Sequence, residues 1–353
     1  MSRIVFFDPS CPQPYDTRSL RAGAMGGSEA TLVRIAESLD AIVVQHNRTE
    51  TCGRYRAPAT LPVIEQVVIN RDSRALPTVR KLYPQARVFL WLHDRVGPRS
   101  RRARWLASTV DLLRETATHI VCVSDFQRRD VEATLKSIGA GDRVNISTIY
   151  NPIDDSLAPD GSIVDPDTLV FFSSPNKGLK FALDAFRAMR ARMPELRLLV
   201  ANPGYRAQGS IDIDGVLDLG ALPQNRLHAH VRTALATFAP NWLIPETFGL
   251  VLAESLALGT PVLTHDSGAA LEVVRDPRQV LPVPRAARVY EAMFSGFSPR
   301  WRRVPAYTAA RLGLFDTYIE RIRTWRSGDR PRVGPDSRFR LSRITAQWRS
   351  LLG

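Results

Sequence analysis

Short apolar runs separated by helix-length segments, in two successive sets, constrain this chain more than any other feature. Ile4–Phe7, Ala41–Val44, Val67–Ile69, Val88–Leu92, His119–Val123 and Ile146–Tyr150 form the first set, with helical patterns such as Glu29–Leu39 and Phe126–Ser137 between them. Unbroken apolar runs mark strands buried on both faces, and intervening helices make such strands parallel and doubly wound. Pro152, Pro159, Pro166 and Gly161 punctuate a polar stretch from Asn151 to Asp167 that has the character of a linker. A second set follows at Leu169–Phe172, Leu196–Ala201, Leu217–Leu219, Ala236–Ala239 and Pro261–Leu263, with helices expected at Gly178–Arg192, Arg226–Thr233 and Leu250–Leu258. Beyond about Pro284 the alternation stops, and helical patterns at Tyr307–Arg326 and Ser342–Leu352 flank a Pro/Gly/Arg-rich break at Gly328–Ser337. With 353 residues there is chain enough for two α/β domains of ordinary size.

One stretch of the second set carries chemistry. Glu246 stands in a loop that runs through Thr247 into Phe248, Gly249 and Leu250, and an apolar helix then carries Glu254 before Gly259 ends it. The first amides of a helix have no partner inside it, so the N–H groups of Phe248, Gly249 and Leu250 are placed to meet an anion, and Gly249 permits close approach. Glu246 is positioned to accept hydrogen bonds from hydroxyls. Glu254 lies on a helix that otherwise belongs to a core, where a carboxylate must be paired or hydrogen-bonded. Ser173-Ser174-Pro175-Asn176-Lys177-Gly178 repeats the strand, turn and helix arrangement, and Lys177 adds a mobile positive charge suited to a departing diphosphate. Gly26-Gly27-Ser28-Glu29 opens the first long helix of the chain, with Ser28 or Gly27 as the expected N-cap. His93 and Asp94 end the strand Val88–Leu92, at the carboxyl end where open α/β sheets bind ligands.

The Glu246-to-Glu254 segment and the following Gly259-Thr260-Pro261-Val262 resemble the Glu-x7-Glu signature of retaining glycosyltransferases of the GT-B fold, most closely glycosyltransferase family 4. The resemblance covers most of residues 3–275. It implies two Rossmann-like domains facing across a cleft: an acceptor domain over 1–155, a nucleotide-sugar donor domain over 165–285, and a C-terminal helical extension over 286–353 packing back on the first. It implies Glu246, Lys177 and His93 as catalytic residues. Donor contacts are implied at Gly26, Gly27, Phe248, Gly249, Leu250 and Glu254, with backbone groups of Ala221 and Leu222 at the base edge and Glu254 on the ribose. No metal or cofactor beyond the nucleotide-diphosphate sugar is implied, and the formal Asp212-Ile213-Asp214 motif is taken as a solvated loop. The chain departs from the family at Phe172, where the usual pattern Gly-Arg-Leu-x-Pro-Glu-Lys-Gly has arginine. Lys180 and Arg206 are candidate substitutes, and a noncatalytic sugar-nucleotide-binding subunit remains an alternative.

Charge narrows the acceptor. Lys and Arg number 48 against 35 Asp and Glu, a net charge of +13, which favours anionic partners. Arg99, Arg101, Arg102 and Arg104 surround Trp105 at the start of an amphipathic pattern, a composition suited to an anionic membrane face. A lipid-linked or polysaccharide glycan intermediate is the expected acceptor. Helix-turn-helix, RRM and zinc patterns are absent, so a basic nucleic-acid-binding protein is the weaker reading. Three cysteines without disulfide or metal spacing, a strand starting at Arg3, and no apolar run near the ~20 residues of a membrane span point to a cytoplasmic protein touching membrane peripherally.

Overall fold

The apolar runs become two parallel sheets. The computed structural model describes residues 3–353 apart from 23–24, 60, 62, 98–99, 142–143, 203–208, 243 and 286–298, and apart from the side chains of 299–312. In the first sheet the strands are β1 (Ile4–Asp8), β2 (Ile42–Gln45), β3 (Tyr55–Arg56), β4 (Gln66–Asn70), β5 (Arg87–Leu92), β6 (His119–Cys122) and β7 (Ile146–Thr148), in the order β3-β2-β1-β4-β5-β6-β7. The second contains β8 (Asp165–Phe172), β9 (Arg197–Ala201), β10 (Val216–Gly220), β11 (Ala234–Phe238), β12 (Val262–His265) and β13 (Val280–Leu281), in the order β10-β9-β8-β11-β12-β13. Every strand pairing is parallel. Both orders contain a reversal: the chain leaves β1 on one side and returns to β4 on the other, and does the same from β8 to β11. Such switch points open a crevice at the carboxyl ends of the two strands.

Met1–Leu20, Gly26–Asp155 and Ser337–Gly353 make one compact unit, and Arg21–Met25 with Ser156–Asp336 make the other. Of the described residues beyond 298, those up to Asp336 fall in the second unit and those from Ser337 in the first. Helix Pro299–Arg326 stays with the second unit, where Leu314, Tyr318, Ile319, Ile322 and Trp325 are buried beside Phe181 and Phe238. The final helix, Leu341–Leu352, belongs to the first with the rest of Ser337–Gly353. Its Ile344, Thr345, Trp348 and Leu352 recur on one face and are buried, and Trp348 meets Trp91 edge-on with ring centroids 4.9 Å apart. The expected linker is also partly fixed: Ile153 is buried, its amide donates to Phe339 O at 2.6 Å, and its carbonyl accepts from Leu341 N at 2.9 Å.

Candidate functional site

In the second unit, the loops after β8, β11 and β12 converge on Glu246. After β8, Lys177 N donates to Ser174 O at 2.8 Å, closing a turn, and Gly178 adopts φ +96 as it caps helix Leu179–Arg190. That left-handed conformation suits glycine, and a Cβ there would stand 3.5 Å from Asn241 Cα. After β11, Asn241 braces its own loop, with Nδ2 donating to Ile244 O at 2.8 Å. Lys177 Nζ then meets Glu246 Oε2 at 2.9 Å, with both side chains partly exposed. These two groups stand beyond the carboxyl ends of β8 and β11, at the switch point of their sheet.

Glu246 is held from behind by the loop after β12. Ala269 N donates to Glu246 O at 2.9 Å, and Gly268, at φ +65, lies so close that a Cβ would be 2.3 Å from the same oxygen. Gly249 begins helix Leu250–Ala257 at φ +94, with no side chain capping the first turn. Phe248 is buried, so its ring anchors the loop. Glu254 is 8% exposed, one turn inside the helix. Ala221 and Leu222 follow β10, the edge strand of this sheet, and Gly220 turns the chain there at φ +61.

The first unit has its own polar cluster at the β1/β4 switch point. Helix Gly27–Ser38 is capped by Gly26, not by Gly27 or Ser28, because Gly26 is extended and its carbonyl accepts from Ala30 N at 2.9 Å. The Glu29 carboxylate folds back over Gly26 and would collide with a Cβ there. Ser28 Oγ is thereby freed from capping and donates to Glu29 Oε2 at 2.8 Å. Arg71, which sequence reasoning missed, joins the pieces. Its Nε and NH2 reach the two oxygens of Asp94 at 2.8 and 3.2 Å, and its NH1 reaches Ser28 Oγ at 3.1 Å and Glu29 Oε1 at 3.2 Å. Arg71 has φ +68, an uncommon conformation for a non-glycine residue, directly after β4. The only signal in the sequence was a polar triplet, Asn70-Arg71-Asp72, at a strand end.

Electrostatics follow from this packing. Burial works against the Asp94 carboxylate, but Arg71 and Arg102 outweigh it and hold its pKa below the usual range. His93 is buried against Trp91, ring centroids 4.4 Å apart. Burial first, and the Arg71 charge second, push the imidazole down to about 3, so it is neutral at physiological pH.

The arginine cluster is less available than its composition implied. Arg102 pairs with Asp94 at 2.6 Å, and Arg74, Arg101 and Arg102 stack on Trp105 with Cζ atoms 3.6, 4.8 and 5.2 Å from the ring centroid. Arg104 is exposed, and Arg99 lies outside the described residues, as do Pro203–Tyr205 and Arg206. Lys180 is exposed and pairs with Asp184 at 3.1 Å. Phe172 is 5% exposed and belongs to the core. Asp214 of the Asp-x-Asp motif pairs with Arg190 at 2.7 Å. Among the described residues no group of three or more His, Cys, Asp or Glu is placed to hold a metal ion.

The sequence profile of the family described as glycosyl transferases group 1 matches residues 166–295. The matched segment, well under half of the chain, contains Lys177, Glu246 and Glu254. Similar curated proteins include phosphatidyl-myo-inositol mannosyltransferases. The one from Mycobacterium leprae is 30% identical over 128 residues, 35% of this chain and 34% of that protein. The one from Mycobacterium tuberculosis is 32% identical over 168 residues, 44% and 42% of the two chains. The match thus spans less than half the length of these relatives. Among solved structures, Anabaena Alr3699/HepE in complex with UDP-glucose is similar over 99% of both chains, with TM-score 0.63 and 15% identity. The pneumococcal O-GlcNAc transferase GtfA, in complex with UDP and GlcNAc, is similar over 81% of this chain and 56% of its own, with TM-score 0.55 and 15% identity. These likenesses establish the fold, two parallel-sheet α/β units of the GT-B class.

Proposed function

We propose that this chain moves a sugar from a nucleoside-diphosphate sugar to an acceptor hydroxyl, with retention of anomeric configuration. The Lys177–Glu246 pair at the β8/β11 switch point carries the reading: a cation and a hydroxyl-accepting carboxylate 2.9 Å apart, beside a helix N-terminus without a side-chain cap. The diphosphate takes Lys177 and the first amides of helix Leu250–Ala257 as its partners. These groups stabilise negative charge that grows as the glycosidic bond breaks, and being pre-placed they reorganise little. Glu246 orients sugar hydroxyls and Glu254 accepts from the ribose. Ala221 and Leu222 border the base. The acceptor hydroxyl attacks from the face the diphosphate leaves, and a diphosphate oxygen takes its proton. Gly26, Gly27 and His93 are assigned to the substrate by resemblance; the neutral His93 ring suits hydrogen bonding to a sugar hydroxyl.

The acceptor proposed is a lipid-linked or polysaccharide glycan intermediate, met by a cytoplasmic protein touching an anionic membrane. The similar proteins named as phosphatidyl-myo-inositol mannosyltransferases and the net charge of +13 support it. A thermal-shift panel of UDP-, GDP- and ADP-sugars tests the donor, since a ligand binding only the folded state at 100 times its Kd adds about 2.7 kcal/mol. NMR of the product then tests retention, and sedimentation with anionic against neutral vesicles tests membrane contact. Phe172 in the arginine slot favours a second reading, a noncatalytic nucleotide-sugar-binding subunit. Donor binding without hydrolysis or transfer would select that reading, whereas turnover lost in Glu246→Gln selects the enzyme. Failure to bind every sugar nucleotide by folded protein refutes both.

A further inference from the structure

A buried polar pair stands behind the Glu246 loop, on elements to which the site assigns no part. His265 ends β12 and is wholly buried. Its Nδ1 is 3.2 Å from Leu281 O, and its Nε2 is hydrogen-bonded to the Tyr318 hydroxyl. A carbonyl oxygen only accepts, so Nδ1 carries the proton and Nε2 accepts from Tyr318 O–H. Both ring nitrogens are thus engaged, and the ring orientation is determined from two sides. Tyr318 in turn is wedged in the core on helix Pro299–Arg326, edge-on to Phe238 with centroids 5.1 Å apart.

The chain leaving His265 leads directly to Glu246. Asp266 N donates to Leu281 O at 3.0 Å, the carbonyl that also receives the imidazole N–H. Asp266 Oδ1 accepts from Val283 N at 2.7 Å, and Ser267 N donates to His265 O at 2.8 Å. Gly268 follows in contact with the Glu246 backbone, and Ala269 N donates to Glu246 O at 2.9 Å. Apolar side chains would fill the space occupied by His265 and Tyr318 without the cost of desolvating polar groups. What a polar pair adds is direction. We propose that Tyr318 and His265 are positioning residues, which tie helix Pro299–Arg326 to the loop 266–269 and thereby set Glu246 against its ligand.

The part concerning ligand rests on the nucleotide-sugar reading, so the test has two independent readouts. The first is hydrogen exchange in the ligand-free protein. Tyr318→Phe keeps the ring and deletes the hydroxyl; it accelerates exchange of the Ala269 amide about tenfold or more. Ile322→Val, one turn along the same helix and equally buried, lowers stability without that local effect. The second readout is donor kinetics. Tyr318→Phe and His265→Leu raise donor KM about tenfold with kcat within about threefold, while His265→Gln, whose amide also offers a donor and an acceptor, stays within about threefold of wild type. Unchanged Ala269 exchange in Tyr318→Phe, or the same acceleration in Ile322→Val, overturns the positioning role. Accelerated exchange in a protein that binds no sugar nucleotide sustains the positioning role and refutes the proposed function instead.

Discussion

Replacing Gly268 with alanine adds one methyl group where the structure leaves no room. The new Cβ would lie 2.3 Å from Glu246 O, 2.7 Å from Glu246 N and 3.0 Å from Pro245 C, all backbone atoms that no rotamer change can remove. Cβ atoms do not approach heavy atoms within 3.0 Å, so the two loops must part by at least about 0.7 Å. The Ala269 N–Glu246 O bond, now 2.9 Å, then stretches to about 3.6 Å and ceases to be a hydrogen bond. Its loss costs about 1 kcal/mol, and alanine at φ +65 adds about 1–2 kcal/mol. A total of about 2–3 kcal/mol corresponds to a fall in Tm of about 5–10 °C for a unit of this size. Glu246 moves with its backbone, and a displacement approaching 1 Å at a reacting centre costs about 100-fold in rate. Gly161→Ala is the matched control, because Gly161 has φ +79 and nothing within 4 Å of its Cβ position. It carries the backbone strain without the collision. Thermal unfolding and steady-state transfer of the two variants measure the difference. Equal Tm and equal donor kinetics in both would refute the argument that the loop after β12 places Glu246.

Three further outcomes are expected. Lys177→Met removes the cation from a partly exposed pair, so stability changes by less than about 1 kcal/mol while kcat falls about 100- to 1,000-fold; urea unfolding and donor turnover separate the two effects. Arg71→Ala leaves Asp94 with Arg102 and deprives Glu29 of its arginine, costing about 2–4 kcal/mol in urea unfolding, and Arg71→Lys recovers only part because an ammonium cannot reproduce the fork. For pH, burial lowers His93 to about 3 and His265 to about 4, so below about 6.5 the unfolded chain binds protons that the native state refuses. The stability from keeping both rings neutral is complete above pH 6.5 and falls with pH toward those values, by up to about 1.4 kcal/mol per unit for each ring. Asp94, depressed chiefly by Arg71 and Arg102 against burial, adds its loss only below the ordinary carboxylate range. Denaturant titrations at pH 7, 6 and 5 should show the decline, with a shallower slope in His265→Gln.

Local pattern was enough for the long strands and for the helices that follow the Gly178 and Gly249 turns. β9 and helix Leu250–Ala257 lie within a residue of their expected bounds, because unbroken apolar runs and left-handed glycines are properties of a few adjacent residues. The two-residue strands Tyr55–Arg56 and Val280–Leu281 were not legible, since they are too short to show any periodicity and exist only by pairing with β2 and β12. The N-cap at Gly26 also escaped notice, because a serine nearby was the better local candidate.

By itself the sequence determined that this chain makes two parallel α/β sheets, that Glu246 and Lys177 sit just before helix N-termini, and that Glu254 lies within a helix. Tertiary structure alone decided which charges meet. It joined Lys177 to Glu246 across 69 positions, Arg71 to Glu29 across 42, and Tyr318 to His265 across 53, and it committed Arg102 to Asp94 instead of leaving it as free surface charge. The physical reason is that periodicity and capping act within a turn or two of backbone, whereas pairing and desolvation depend on which strand ends the sheet order places side by side.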